Sequence, residues 1–392
     1  MKFETYKIAD LIDEISMGPF GSNIKVECFV DDGIPVLNGS NLDGIALSEN
    51  SFRYVTEEKA DSLGKANASR GDVVITHRGT LGQISFIPKN SKYSRYVISQ
   101  SQFRVRCNEK LLPEYIVYYF HTRVGQHKLL ANASQVGVPA LARASTTFQT
   151  IEIEIPPIEE QRKIVGVLET IRKKIELNNT INNNLEQQAK AIYHQMFIAS
   201  SSPEWTQGTL SDIADITMGQ SPSGSSYNED GIGTVFYQGR AEFGYRFPTQ
   251  RLCTTEPKRM ARENDVLMSV RAPVGDLNVA REDCCIGRGL ASIRSKTNRQ
   301  SFVLYTVFAL QPELDKFNGE GTVFGSINRD SLNKMAIEIP TDDEMDRFES
   351  LVSPMDAQIR TNHEEILRLE AIRDALLPKL MTGELDVSAV EI

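Results

Sequence analysis

Residues 153–197 and 337–381 are two copies of one long segment, and nothing else in the 392-residue sequence restricts the fold as strongly. The first opens Ile153-Glu154-Ile155-Pro156-Pro157 and the second Ile337-Glu338-Ile339-Pro340-Thr341. Behind the first opening, Ile164, Leu168, Ile171, Ile175, Leu185, Ala189, Ile192 and Met196 fall on a ladder of four- and three-residue steps. Their counterparts 184 positions later are Phe348, Val352, Met355, Ile359, Leu369, Arg373, Leu376 and Leu380, all apolar but Arg373. A seam repeating every 3.5 residues belongs to a helix that packs lengthwise against another helix. Two such segments in one chain supply each other's partner. The polar interruption Asn178 maps onto Asn362, and this matched pair is expected to set antiparallel register where a pseudo-twofold axis crosses the helices.

Local signals agree. Pro157 suits a first helical position, with Glu159 and Glu160 at the positive end of the helix. Thr341-Asp342-Asp343-Glu344 reads as a capping box, and Gly383 as a stop. Residues 178–184 are rich in asparagine, so helicity there has to come from packing.

The blocks before each helix also repeat. Gly33-Ile34-Pro35-Val36-Leu37-Asn38-Gly39 parallels Gly233-Thr234-Val235-Phe236-Tyr237-Gln238-Gly239. Residues 71–82 parallel 264–275, each a buried strand followed by a small-residue turn that carries an arginine, Arg78 or Arg271. Phe103-Arg104-Val105-Arg106 reads as a half-buried strand, and Pro113–Phe120 as a helix whose Tyr118 and Tyr119 pack in the core. The offset between copies drifts along the blocks while the helices keep register, as expected of a duplicated unit with variable loops. The expected fold is α+β. Two pseudo-symmetric α/β globular blocks, residues 1–157 and 200–340, are separated by two long antiparallel helices, 158–199 and 341–385, that form a coiled-coil spacer, with an acidic tail at 386–392.

Composition narrows the function. No run of 18 apolar residues occurs and the first residues lack an apolar leader stretch, so the reading is a cytoplasmic protein. The five cysteines form no C-x-x-C pair, and the five histidines have neither ligand nor triad spacing, so each histidine reads as a surface or capping residue. No G-x-x-x-x-G-K-[ST] loop is present, and the glycines of residues 319–325 fit a dinucleotide fingerprint poorly. Neither a catalytic constellation nor a bound metal or cofactor is expected. The net charge of −9 is uneven: residues 341–392 hold 5 basic and 13 acidic side chains, whereas residues 1–157 hold 17 of each. A basic DNA-facing surface can coexist with such an acidic stalk.

The remaining candidate chemistry is polar and positive, on loops after strands: Arg78, Thr80, Gln100, Gln102, Arg240, Arg271 and Arg288. Arginine reads guanine bidentately, glutamine reads adenine, and hydroxyls serve phosphates. The signal is the equivalent placement of Arg78 and Arg271 rather than either residue alone.

The chain as a whole resembles the specificity subunit of type I restriction-modification enzymes. The resemblance is carried by residues 155–165 (Ile-Pro-Pro-Ile-Glu-Glu-Gln-Arg-Lys-Ile-Val) and by Arg271-Ala272-Pro273-Val274-Gly275-Asp276. Cys285-Ile286-Gly287-Arg288-Gly289-Leu290-Ala291 and the ending Leu380-Met381-Thr382-Gly383-Glu384-Leu385 add to it. The second junction departs from the Pro-Pro…Glu-Gln form. The resemblance implies two target-recognition domains that each read half of a split site in double-stranded DNA. Two methylation subunits would dock around the helices, at the ladder positions and Asn178 and Asn362, and restriction/motor subunits would join them. S-adenosylmethionine, ATP and Mg²⁺ would sit on those partners, and this chain would itself be non-catalytic. The alternatives left open by the residues are a coiled-coil scaffold, or a specificity subunit of another restriction or orphan methylation system.

Overall fold

The computed structural model of the protein describes residues 2–19, 21–134, 137–319 and 325–388, with Ser22 as backbone alone. Residues 320–324 of the glycine-bearing segment and 389–392 of the acidic tail lie outside the described residues. Contacts divide the chain into two units, Met1–Glu176 with Ile366–Ile392, and Leu177–Glu365. Each long helix, Ile158–Tyr193 and Asp342–Thr382, starts in one unit and ends in the other.

The same strand order is built twice. In the first unit an antiparallel sheet runs Ile12–Met17, Gln102–Cys107, Val73–Thr76, Ile84–Phe86. In the second it runs Ala214–Met218, Leu290–Ser295, Val266–Ser269, Leu277–Val279. Each unit adds a five-stranded sheet in which one pair of strands is parallel, Val36 facing Val97 in the first and Phe236 facing Cys285 in the second. A two-stranded ribbon precedes each long helix. Glu4–Lys7 pairs with Glu152–Ile155, and Thr206–Thr209 with Ala336–Ile339.

The strand around Arg104 differs from its expected half-burial. Gln102 to Val105 are all buried because the strand is central, paired on both sides. A buried guanidinium has to be neutralised. Arg104 Nη2 donates to Glu14 at 2.9 Å and its Nε to the Lys65 carbonyl at 3.0 Å. Asp72, fully buried, takes Arg106 Nε at 2.8 Å. The second unit repeats the arrangement around Asp265, which accepts from Ser292 Oγ at 2.6 Å and faces Arg294 Nη2 at 2.7 Å.

The helical seam packs as its spacing predicts. In the first unit Ile164, Leu168, Leu380 and Met381 join the core with residues 115–120 of the helix Pro113–His121. In the second, Ala189, Phe348, Val352 and Ile359 do the same, with Leu185, Ile192 and Met355 partly buried beside them. Ile175, Leu369, Leu376 and Arg373 are half-buried. A fully buried Ile or Leu contributes about 2 kcal/mol, whereas each asparagine of the 178–184 stretch costs about 0.6 kcal/mol of helix propensity. Packing therefore wins.

Asn178 and Asn362 are both buried, but they do not meet. Asn178 Nδ2 donates to Glu365 at 2.7 Å, and Asn362 Nδ2 donates to Asn182 Oδ1 at 2.8 Å. The duplication matches residues by a constant difference in number, whereas antiparallel packing pairs them at a constant sum. The two matched asparagines thus belong to a four-residue polar layer with Asn182 and Glu365.

The two helix starts differ. Thr341 N donates to Glu344 at 3.1 Å in a capping box, and Trp205 Nε1 donates to the same carboxylate at 2.7 Å. At the first start, buried Gln161 bridges the Leu112 amide (3.0 Å) and the carbonyls of Lys110 (2.8 Å) and Pro156 (2.9 Å). Its counterpart 184 positions later is the buried, apolar Met345.

Candidate nucleic-acid interface

The arginines at the ends of the two central strands are placed alike. Arg78 is exposed just beyond Val73–Thr76, and its backbone bridges Ala140. Arg271 is exposed just beyond Val266–Ser269, and its backbone bridges Ser326. Neither side chain has a hydrogen-bond partner among the described residues. Thr80 is exposed two residues past Arg78.

A second loop lies beside each arginine loop, joined by matched backbone bonds. Gly18 N donates to Gln102 O at 2.8 Å, as Gly219 N does to Leu290 O at 2.9 Å. His77 N donates to Ser101 O at 2.8 Å, as Val270 N does to Gly289 O at 2.9 Å. The close approach admits no side chain: a Cβ on Gly18 would lie 1.9 Å from Ser99 O, and one on Gly219 would lie 2.1 Å from Gly287 O. These bonds make Ser99-Gln100-Ser101 the structural counterpart of Gly287-Arg288-Gly289. Gln100 and Arg288 are both exposed at the apex.

A third loop closes each cluster. In the first unit Gln83 Nε2 donates to Gly39 O at 3.0 Å and to Asp43 at 2.7 Å. In the second, Asp276 takes the place of Gln83 and pairs with Arg240. Arg240 is therefore exposed but ion-paired, whereas Arg78, Arg271 and Arg288 present guanidinium groups with no partner among the described residues.

Gln102 departs from its expected role. It is fully buried, and its Oε1 accepts from the Ser99 amide at 2.9 Å. It shapes the turn that presents Gln100 instead of facing outward. The reason is register: Gln102 is the first residue of a central strand, opposite Thr76.

His77 is a contributor that spacing did not single out. Its Nε2 lies 3.2 Å from Gln100 O, and its ring packs against Phe103. Burial holds its pKa below the ordinary histidine value, with nearby Arg78 acting in the same direction. The ring is thus neutral at pH 7 and fastens the two loops as a hydrogen-bonding group. A histidine directly before the matched arginine was the available signal, but only the fold puts Gln100 against it.

Among the described residues no group of three or more His, Cys, Asp or Glu is placed to hold a metal ion. No described helix is long and apolar enough to cross a membrane.

The model of the type I restriction modification DNA specificity domain matches residues 2–187 and 203–371. The chain is similar to a putative type I restriction enzyme MjaX specificity subunit of Methanocaldococcus jannaschii, 26% identical over 98% of this chain and 94% of that one. It is also similar to the HindI specificity subunit of Haemophilus influenzae, 21% identical over 82% of this chain and 88% of that one. A crystal structure of the type I restriction-modification S subunit from M. genitalium shares the fold, with a TM-score of 0.65 at 15% identity and coverage of 97% and 96%. With both halves matched, the chain belongs to the family of type I restriction modification DNA specificity domains.

Proposed function

We propose that each of the two blocks reads one half of a bipartite site in double-stranded DNA. The loop clusters around Arg78 and Gln100 and around Arg271 and Arg288 are the reading surfaces. The observation that carries this reading is the double construction: two exposed arginines, each set beside an equivalently bonded apex residue. Bases are read by side-chain edges in the groove, while flanking cations neutralise phosphates. The chain acts without catalysing a reaction, as the cytoplasmic specificity subunit of a type I complex. Two methylation subunits carry S-adenosylmethionine and modify adenine, and restriction/motor subunits carry ATP and Mg²⁺. The ladder residues, largely buried between helices and blocks, hold the spacer together, and the outward faces of the long helices carry the partner subunits. In this reading, residues 1–157 and 200–340 are the recognition domains.

Replacing residues 1–157 by the corresponding domain of a relative, followed by sequencing of methylated sites, tests it. One half of the recognised sequence changes and the other stays. A swap that altered both halves, or DNA binding insensitive to salt, would defeat the proposal.

A further inference from the structure

The apex residues Gln100 and Arg288 differ in chemistry although their surroundings are built alike. Three features fix the correspondence: the Gly18 and Gly219 amides bond to Gln102 and Leu290, two residues past each apex. The His77 and Val270 amides bond to the residue directly after it, Ser101 or Gly289. Finally, a glycine Cα is pressed against the carbonyl directly before it. Each apex side chain is exposed, with no hydrogen-bond partner among the described residues, and each stands beside the matched arginine, Arg78 or Arg271.

The two loops are stiffened by different means. Ser99-Gln100-Ser101 is held by the Gln102 side chain at 2.9 Å and by His77 Nε2 at 3.2 Å. Gly287-Arg288-Gly289 is wedged against the neighbouring loop, where a Cβ on Gly287 would lie 2.7 Å from Gln238 O. Both constructions fix the apex backbone and leave the side chain exposed, the Gln100 amide resting against Gly21, where a Cβ would lie 2.1 Å from its Oε1. A glutamine amide matches the acceptor and donor of adenine N7 and N6, and a guanidinium matches the two acceptors of guanine N7 and O6. The adjacent arginines are the same residue in both units and cannot distinguish the two half-sites. The apex residues can.

We infer that Gln100 and Arg288 occupy one shared base-reading position, at which the first domain reads adenine through Gln100 and the second reads guanine through Arg288. This rests on the DNA-recognition reading above. It assigns the difference between the half-sites at that position to a single exchangeable side chain.

The test uses the full chain in complex with its methylation partner, bound to a pool of randomised duplexes and checked by sequencing of methylated sites. The variants are Gln100→Arg, Gln100→Ala and Arg288→Gln, and the wild type and the pair Arg78→Ala and Arg271→Ala serve as references. Gln100→Arg is expected to turn one A·T pair of one half-site into G·C. Arg288→Gln is expected to make the reverse change in the other half. Gln100→Ala should relax the same position, lowering discrimination by roughly tenfold or more. Sequence preference unchanged in all three variants overturns the inference and leaves two-domain recognition standing, whereas preference altered at both half-sites by one substitution overturns both. Binding weakened equally for all sequences, with a salt slope smaller by about one, also overturns it by assigning a phosphate contact. A wild-type complex that enriches no sequence, together with Arg78→Ala and Arg271→Ala variants that bind as the wild type does, overturns the underlying reading itself.

Discussion

Ile45 and Arg246 hold the same place in the two units. The Ile45 carbonyl accepts from Phe86 N at 3.0 Å, and the Arg246 carbonyl accepts from the equivalent Val279 N at 2.9 Å. From there the units diverge. Arg246 is buried, with Glu186 of the first long helix at 3.4 Å, Asp356 of the second in direct contact, and the Tyr305 hydroxyl at 3.4 Å. Burial works against the Arg246 charge, but the carboxylates and Tyr305 more than offset it and raise its pKa. Ile45 packs into an apolar cluster instead. A polar tie to the first long helix there, besides that of Gln161, is the Tyr118 hydroxyl, which donates to Glu169 at 2.9 Å. The cation of that group, Arg172, sits on the same helix as its acidic partners Glu169 and Glu176. Both blocks pack apolar residues against the helices; the second adds an ion cluster whose cation comes from the block, whereas the cation of the first unit's cluster comes from the helix itself. A buried ion pair is poor evidence of extra stability, because desolvation consumes the attraction. What it supplies is sensitivity to the loss of a member.

That sensitivity is the largest expected effect. Arg246→Ala leaves the partly buried Asp356 without a cation, while buried Glu186 keeps Lys190 at 2.6 Å, and should cost about 3 kcal/mol in the second unit's unfolding. Arg172→Ala, which removes a more exposed guanidinium whose second partner Glu176 faces solvent, should cost no more than about 1 kcal/mol. Equal losses in denaturant unfolding would remove the distinction between the two fastenings. Replacing the whole cluster (Arg246→Ile with Glu186→Gln and Asp356→Asn) converts it to the first unit's type and should restore most of what the single change loses.

The helix starts extend the comparison. Gln161→Ala strips partners from three backbone groups and should destabilise the first unit by roughly 2–3 kcal/mol. Met345→Leu at the matching place should cost less than about 1.5 kcal/mol, because an apolar swap of similar volume is tolerated. At the second start Thr341→Ala removes a cap and should cost about 1 kcal/mol. A thermal shift larger than that of Gln161→Ala would reverse the ranking of the two junctions. The smallest effect has the opposite sign. Tyr115 is buried with its hydroxyl unpartnered among the described residues, and the second unit has Phe302 at the matching place. Tyr115→Phe should leave stability unchanged or raise it by up to about 1 kcal/mol; a clear loss would mean that the hydroxyl has a partner in solution.

The parts legible in the sequence were those with a period or a repeat. The ladder from Ile164 to Met196 located the helices because 3.5-residue spacing survives loop variation. The matched turns of residues 71–82 and 264–275 located Arg78 and Arg271 for the same reason. Gln100 and Gln102 could not be told apart, since two residues of strand register decide which one reaches solvent and which one is locked inside. Arg246 lies in a loop with no period, and its partners Glu186 and Asp356 are 60 and 110 positions away. Only tertiary packing identifies such a residue as buried. Asn178 and Asn362 were legible as copies, but their bonding partners Glu365 and Asn182 were not, because descent and packing number the helices differently.

The polar layer of Asn178, Asn182, Asn362 and Glu365 makes helix length a discrete quantity. A slip of one heptad would set the Asn362 amide against Ala189 or Ile175 in place of Asn182. A buried amide then loses its partner, at about 1–3 kcal/mol. Insertions and deletions in this region are therefore permitted in sevens, made in both helices together, so that the pair lengthens or shortens like a gear with fixed teeth.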